Sequence, residues 1–176
     1  MNVICYGDSN TWGYDPRSRS GERYPKGSCW TDILAEKTGW TVINQGMNGR
    51  EVPAETAEIP ENTDLFLVML GTNDLLQLDT PEAAAKRMEV FLSGIAPETV
   101  VIIAPPAMVW GEWVQDDGLI QDSIQLTRLY RDLSRRLNVR FLDAGQWGVS
   151  LAYDGVHFTQ EGHRAFAEGL MKEIMP

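Results

Sequence analysis

The chain is short of several things that would assign it to a large class of proteins. Its 176 residues include only two histidines and two cysteines. Cys5 and Cys29 form no C-x-x-C pair and sit in no Cys/His cluster, which argues against a structural zinc or iron–sulfur site and against a disulfide framework. Cys5 lies inside an apolar run and reads as a small buried hydrophobe. Positive charge is scarce as well: 15 Lys and Arg stand against 25 Asp and Glu, a net charge of −10. A nucleic acid or an anionic membrane surface needs a basic face, so neither is an expected partner. No apolar stretch approaches the ~20 residues of a membrane span. Met1 runs straight into a strand-like segment with no basic leader, so the expected location is cytoplasmic. Repeats, low-complexity tracts, linkers and Walker-type glycine runs are missing. The length suits one domain spanning 1–176.

What is present is a regular alternation. Five apolar runs occur at 3–6, 41–43, 65–70, 100–104 and 139–142. Two of them, LFLVML and VVIIA, are continuous rather than alternating, as in strands covered on both faces. Helical patterns lie between the runs: 30–37, stopped by Gly39; 81–92, with Thr80 as N-cap, Pro81 at the first position and Gly94 as a stop; 119–137; and 161–175, with Thr159 as N-cap. The alternation predicts an α/β fold with a five-stranded parallel sheet and helices on both faces. Sites in such sheets lie beyond the carboxyl ends of the strands.

The residues just past each run are therefore the informative ones. They are Gly7-Asp8-Ser9-Asn10, Asn44-Gln45-Gly46-Met47-Asn48-Gly49-Arg50, Gly71-Thr72-Asn73-Asp74, Pro105-Pro106 and Asp143-Ala144-Gly145, with Asp154-Gly155-Val156-His157-Phe158-Thr159 further on. A serine hydroxyl needs a base, and histidine is the side chain best suited near neutral pH. The imidazole needs an acceptor on its far nitrogen, which Asp154, three residues before His157, can supply. A tetrahedral oxyanion needs preorganised donors. The backbone N–H groups of Ser9 and Gly46 and the side-chain amide of Asn73 are the candidates. Asp143 is a rival acid and His163 a rival base, although His163 falls inside the last helical pattern. Asp8 and Asp74 read as turn and network residues.

The blocks GDSN, NQGMNGR, GTND and DGVHFT resemble, in order and spacing, those of the SGNH hydrolase superfamily, also called the GDSL family of esterases and lipases. The stretches YGDSNTWGYDP, LGTND, FLDAG and DGVHFT look most like its arylesterase and acyltransferase branch. The resemblance covers nearly the whole chain. It implies a three-layer α/β/α sandwich of flavodoxin-like topology, with neither metal nor organic cofactor. It also implies acyl transfer through an acyl-enzyme, with Ser9 as nucleophile, His157 as base and Asp154 as its partner. Ser9, Gly46 and Asn73 would be the oxyanion donors. Asn10 stands where the family name has Leu, which weakens any analogy to lipases.

The expected substrate is a small carboxylic ester with a short acyl group such as acetyl. Carbohydrate O-acetyl esters are an alternative, and a non-catalytic flavodoxin-like binder is the rival from another class. Asn10, Trp12, Trp110 and Val156 are candidate pocket residues. The irregular segment PPAMVWGEWVQDDG at 105–118, which also holds Met108 and Trp113, reads as a pocket wall or as a contact in a homo-oligomer.

Overall fold

The computed structural model describes residues 1–18 and 20–175. The elements, in chain order, are β1 (Asn2–Gly7), α1 (Ser9–Trp12), α2 (Trp30–Thr38), β2 (Thr41–Gly46), β3 (Leu65–Met69), α3 (Thr72–Leu76), α4 (Pro81–Leu92), β4 (Val100–Ala104), α5 (Asp117–Leu137), β5 (Arg140–Asp143) and α6 (Gln160–Ile174). The strands form one five-stranded sheet in the order β2-β1-β3-β4-β5. Every pairing is parallel. That order is the flavodoxin-like one, and the connections reverse direction beside β1.

The continuous apolar strands have two faces to cover. Ile4, Phe66, Val68, Val100 and Ile102 pack against Met88, Phe91 and Leu92 of α4 and Leu126, Tyr130 and Leu133 of α5. The alternate residues, Val3, Cys5, Leu67, Met69, Val101 and Ile103, pack against Trp30 and Leu34 of α2 and Phe166, Ala167 and Leu170 of α6. Two helical layers thus enclose the sheet, giving the three-layer α/β/α sandwich. Full burial of each such apolar side chain is worth about 1.5–3 kcal/mol. Cys5 and Cys29 are both buried free thiols. Among the described residues, no helix is long and apolar enough to cross a membrane.

Helix ends follow local chemistry. Thr80 accepts from the Ala83 N–H at the start of α4, and Pro81 occupies its first turn. Thr159 caps α6 in the same way through the Gly162 N–H. Helix α5 starts two residues before the expected Leu119, because Asp116 caps it by accepting from Gly118 N–H at 2.8 Å. Strand β2 outlasts its apolar run by three residues. It is an edge strand with alternating exposure, so Asn44, Gln45 and Gly46 continue the ladder with Cys5, Tyr6 and Gly7. The short helices α1 and α3 fall where the sequence suggested only turns.

Candidate active site

The first site element is the sharp exit from β1. A Cβ on Gly7 would lie 2.1 Å from Thr11 Oγ1 and 2.8 Å from the Met69 carbonyl, so only glycine fits there. Asp8 then caps α1, its Oδ1 accepting from the Asn10 N–H at 2.9 Å. Ser9 is the first residue of α1 and is 6% exposed. Its N–H has no acceptor among the described residues.

The second element comes from the far end of the chain. His157 Nε2 lies 3.0 Å from Ser9 Oγ. His157 Nδ1 lies 2.7 Å from Asp154 Oδ2. The other carboxylate oxygen, Oδ1, accepts from the Val156 and His157 N–H groups, each at 2.9 Å. Burial works against the charge on Asp154, but the His157 side-chain bond and the two backbone N–H groups outweigh it and hold the carboxyl below its ordinary range. An ionised carboxylate only accepts, so Nδ1 carries the proton and the Nε2 lone pair faces the serine hydroxyl. Tyr14 and Trp113 pack on the imidazole, with ring centroids 4.6 Å and 5.0 Å away, Trp113 edge-on. This arrangement can take a proton from Ser9 and return it to a leaving group.

The rivals lie elsewhere. Asp143 accepts from the Gly145 N–H and pairs with Arg131 at 3.2 Å. His163 is fully buried, and its Nδ1 accepts from the Trp30 N–H at 3.3 Å. Burial, helped by the nearby positive charge of Arg23, pushes its pKa down to about 3. Asp8 and Asp74 act as network residues. Asp74 accepts from Val52 N–H and pairs with Arg87. Burial raises the Asp8 carboxyl to about 6, the Asn10 N–H and His157 pulling it down and Asp74 pushing it up.

The expected donors differ in availability. Asn73, on α3, gives one Nδ2 hydrogen to the Arg50 carbonyl at 3.1 Å, leaving the second without a described partner. The Gly46 N–H is not free: it donates to Asn44 Oδ1 at 2.8 Å. Gly46 is needed for packing, since a Cβ there would lie 2.1 Å from the Trp12 nitrogen. Beyond it, the turn is held by Met47 N–H donating to the Gly7 carbonyl and by Arg50, whose guanidinium donates to the same carbonyl at 3.0 Å and stacks 4.1 Å from the Tyr6 centroid. The Asn48 and Gly49 amides at the tip of that turn have no acceptor among the described residues. Gly49 has a φ of +73°.

The pocket expectations need correction. Asn10 and Val156 are 3% and 4% exposed, and Val156 belongs to the core cluster beneath α4 and α5. Neither offers a wall to a ligand. Trp110 is 60% exposed, and its Nε1 donates to Asp117 Oδ1 at 3.0 Å. Trp12 is half-buried, with Arg23 5.9 Å from its ring centroid. The aromatic residues on the imidazole are Tyr14 and Trp113, which no periodicity in their irregular segments singles out. Trp113 is also one wall of a cleft of about 470 Å³ that Leu75, Leu78, Asp79, Gln115 and Asp116 help to line. Among the described residues, no group of three or more His, Cys, Asp or Glu side chains is arranged to hold a metal ion.

The model of the GDSL-like lipase/acylhydrolase family matches residues 5–165, and the chain belongs to that family, within the SGNH hydrolases. It is a carboxylic ester hydrolase. No curated protein matches the sequence. Among solved structures, the M. smegmatis aryl esterase is 27% identical with a TM-score of 0.81, covering 99% of this chain and 98% of its own. Its inhibitor-bound form gives 26% identity and a TM-score of 0.85, with 99% and 98% covered. A carbohydrate acetylesterase family member from Sinorhizobium meliloti is 27% identical with a TM-score of 0.80, covering 99% of this chain and 97% of its own.

Proposed function

We propose that the chain forms one hydrolase domain that cleaves small, short-acyl esters through an acyl-enzyme on Ser9. Ser9 Oγ attacks the ester carbonyl while His157 Nε2 takes its proton. Asp154 holds the ring and stabilises the imidazolium. The oxyanion is met by the Ser9 N–H, the free Nδ2 hydrogen of Asn73 and a backbone amide of the 47–50 turn, in place of the occupied Gly46 N–H. His157 then gives the proton to the departing alcohol oxygen. Water, deprotonated by the same nitrogen, attacks the acyl carbon; the acyl–Oγ bond then breaks, Ser9 Oγ takes the proton back from Nε2, and the acid leaves. A second alcohol in place of water gives acyl transfer.

The observation that carries this reading is the unbroken chain Asp154–His157–Ser9, at 2.7 and 3.0 Å. The likeness to an aryl esterase and to a carbohydrate acetylesterase supports phenyl acetates and acetylated sugars as the first substrates to try. The test is p-nitrophenyl acetate hydrolysis by wild type and Ser9→Ala, alongside labelling by a fluorophosphonate. Wild type should turn over and label at Ser9, and Ser9→Ala should do neither. Equal rates would remove Ser9 as nucleophile, and no turnover or labelling by either protein would favour a non-catalytic binder.

A further inference from the structure

We infer that Asn10, the residue after the proposed nucleophile, is a positioning residue that sets the distance between Ser9 and His157. The inference rests on the catalytic reading above and goes beyond it, because Asn10 touches no reacting atom.

Asn10 Oδ1 accepts from the Phe158 N–H at 2.8 Å. Asn10 Nδ2 donates to the Val156 carbonyl at 3.2 Å. These two peptide groups flank His157 on either side. One carboxamide thus grips the backbone before and after the imidazole, across 148 residues of chain for the Phe158 bond. Its own backbone is fixed in turn. The Asn10 N–H is held by Asp8 Oδ1, and its carbonyl accepts from Trp30 Nε1 at 3.1 Å. Trp30 and Phe158 are among the most deeply buried large side chains.

The physical need for such a clamp follows from the remaining bonds. Asp154 and His157 are three residues apart in one loop, so their contact travels with the loop. It says nothing about where that loop sits relative to Ser9. Ser9 lies on another element, and its alignment with His157 must come from cross-links between the two chain ends. Asn10 supplies two of these at the residues adjacent to both partners. Tyr24, whose hydroxyl donates to the Phe158 carbonyl at 3.3 Å, supplies a more distant one. Only a side chain with a donor and an acceptor on one planar group makes both Asn10 bonds. Leucine makes neither. An ionised aspartate keeps the acceptor and loses the donor, and adds a buried charge. A protonated aspartic acid regains the donor. Misplacing a reacting group by about 1 Å costs on the order of 10²-fold in rate.

The experiment compares wild type, Ser9→Ala, Asn10→Leu and Asn10→Asp in p-nitrophenyl acetate turnover and in the rate of fluorophosphonate labelling, with melting curves on each. Asn10→Leu should lower kcat and the labelling rate by about 10–100-fold while KM stays within about two-fold. Asn10→Asp, expressed as a ratio to wild type at each pH, should recover as pH falls and its carboxyl takes up a proton. Wild-type kcat in Asn10→Leu, or a change confined to KM, overturns the inference. So does an Asn10→Asp ratio that stays flat with pH, and that variant alone decides the matter if Asn10→Leu does not fold. Full activity in Ser9→Ala would instead overturn the catalytic reading itself. A dead Ser9→Ala beside an unimpaired Asn10→Leu would sink only the positioning role.

Discussion

Gly111 and Gly155 pack backbone against backbone. A Cβ on Gly111 would lie 2.4 Å from the Gly155 nitrogen, and one on Gly155 would lie 2.1 Å from the Val109 carbonyl. The contact lets the segment after β4 zip onto the loop carrying Asp154. Gly155 N–H and carbonyl are both used, the carbonyl by Val109 N–H, while Glu112 and Trp113 donate to the Tyr153 and Asp154 carbonyls. The tryptophan-rich segment is thus a brace for the loop carrying Asp154 and His157, and it delivers Trp113 to the imidazole.

Gly111→Ala should push the two segments apart. Overpacking of this kind costs about 1–3 kcal/mol. The variant should melt lower and lose esterase activity by at least about ten-fold, because Asp154 and Trp113 move together. Tm and kcat with p-nitrophenyl acetate check this. An unchanged kcat would show that the brace does not govern the loop.

Asp154→Asn tests the proposed tautomer. The amide oxygen can still accept from the Val156 and His157 N–H groups, so the loop should hold. The NH₂ group facing Nδ1 would favour a proton on Nε2, leaving no lone pair for Ser9. By analogy with the same swap in other serine hydrolases, kcat should fall roughly 10³–10⁴-fold with KM little changed. Steady-state kinetics read this directly, and a loss under ten-fold would count against Asp154 as the orienting acid.

His163 predicts how stability responds to acid. Its pKa is about 3 in the folded chain and about 6.5 when unfolded. The fold favours the neutral ring, so this stabilisation is whole above pH ~6.5 and is lost as pH falls from there toward 3. Asp8 acts in the opposite sense. Its folded pKa is raised to about 6, so its contribution is present at low pH and is lost as pH rises toward 6. His163→Asn keeps an acceptor for the Trp30 N–H but removes the titration. Its Tm should be lower than wild type at pH 8 and should decline less between pH 6.5 and 4. Thermal melts across that range measure the difference in slope, and parallel curves would refute the assignment.

Most of the sheet was legible because strands buried on both faces are written as continuous apolar runs, as in Phe66–Val68 and Val100–Ala104. The strand ends then pointed to Ser9, Asn73, Asp154 and His157, which the fold gathers at one edge. The misreadings have physical causes. Edge strand β2 hides its last three residues because an edge needs fewer apolar side chains. Helices α1 and α3 are too short to show a 3.6-residue period. Gly46 and Gly49 look alike as letters, yet one is a packing glycine with its N–H engaged and the other sits at a turn tip. Trp110 and Trp113 lie in a segment with no period, so which of them meets His157 depends on the Gly111 contact. Asn10 was legible only as a departure from a family letter, because both of its partners lie at the far end of the chain.

The 148-residue separation between Ser9 and His157 also has a meaning in time. Chains are synthesised at about 5–20 residues per second, so the serine leaves the ribosome about 7–30 s before its base. During that interval β1 and α1 can form, but Ser9 has no base, no Asp154 behind one and no partner for the Asn10 carboxamide. The nascent chain therefore carries an inert hydroxyl through the crowded exit from the ribosome. The proposed nucleophile gains its base only when the final loop docks beside β1 and α1.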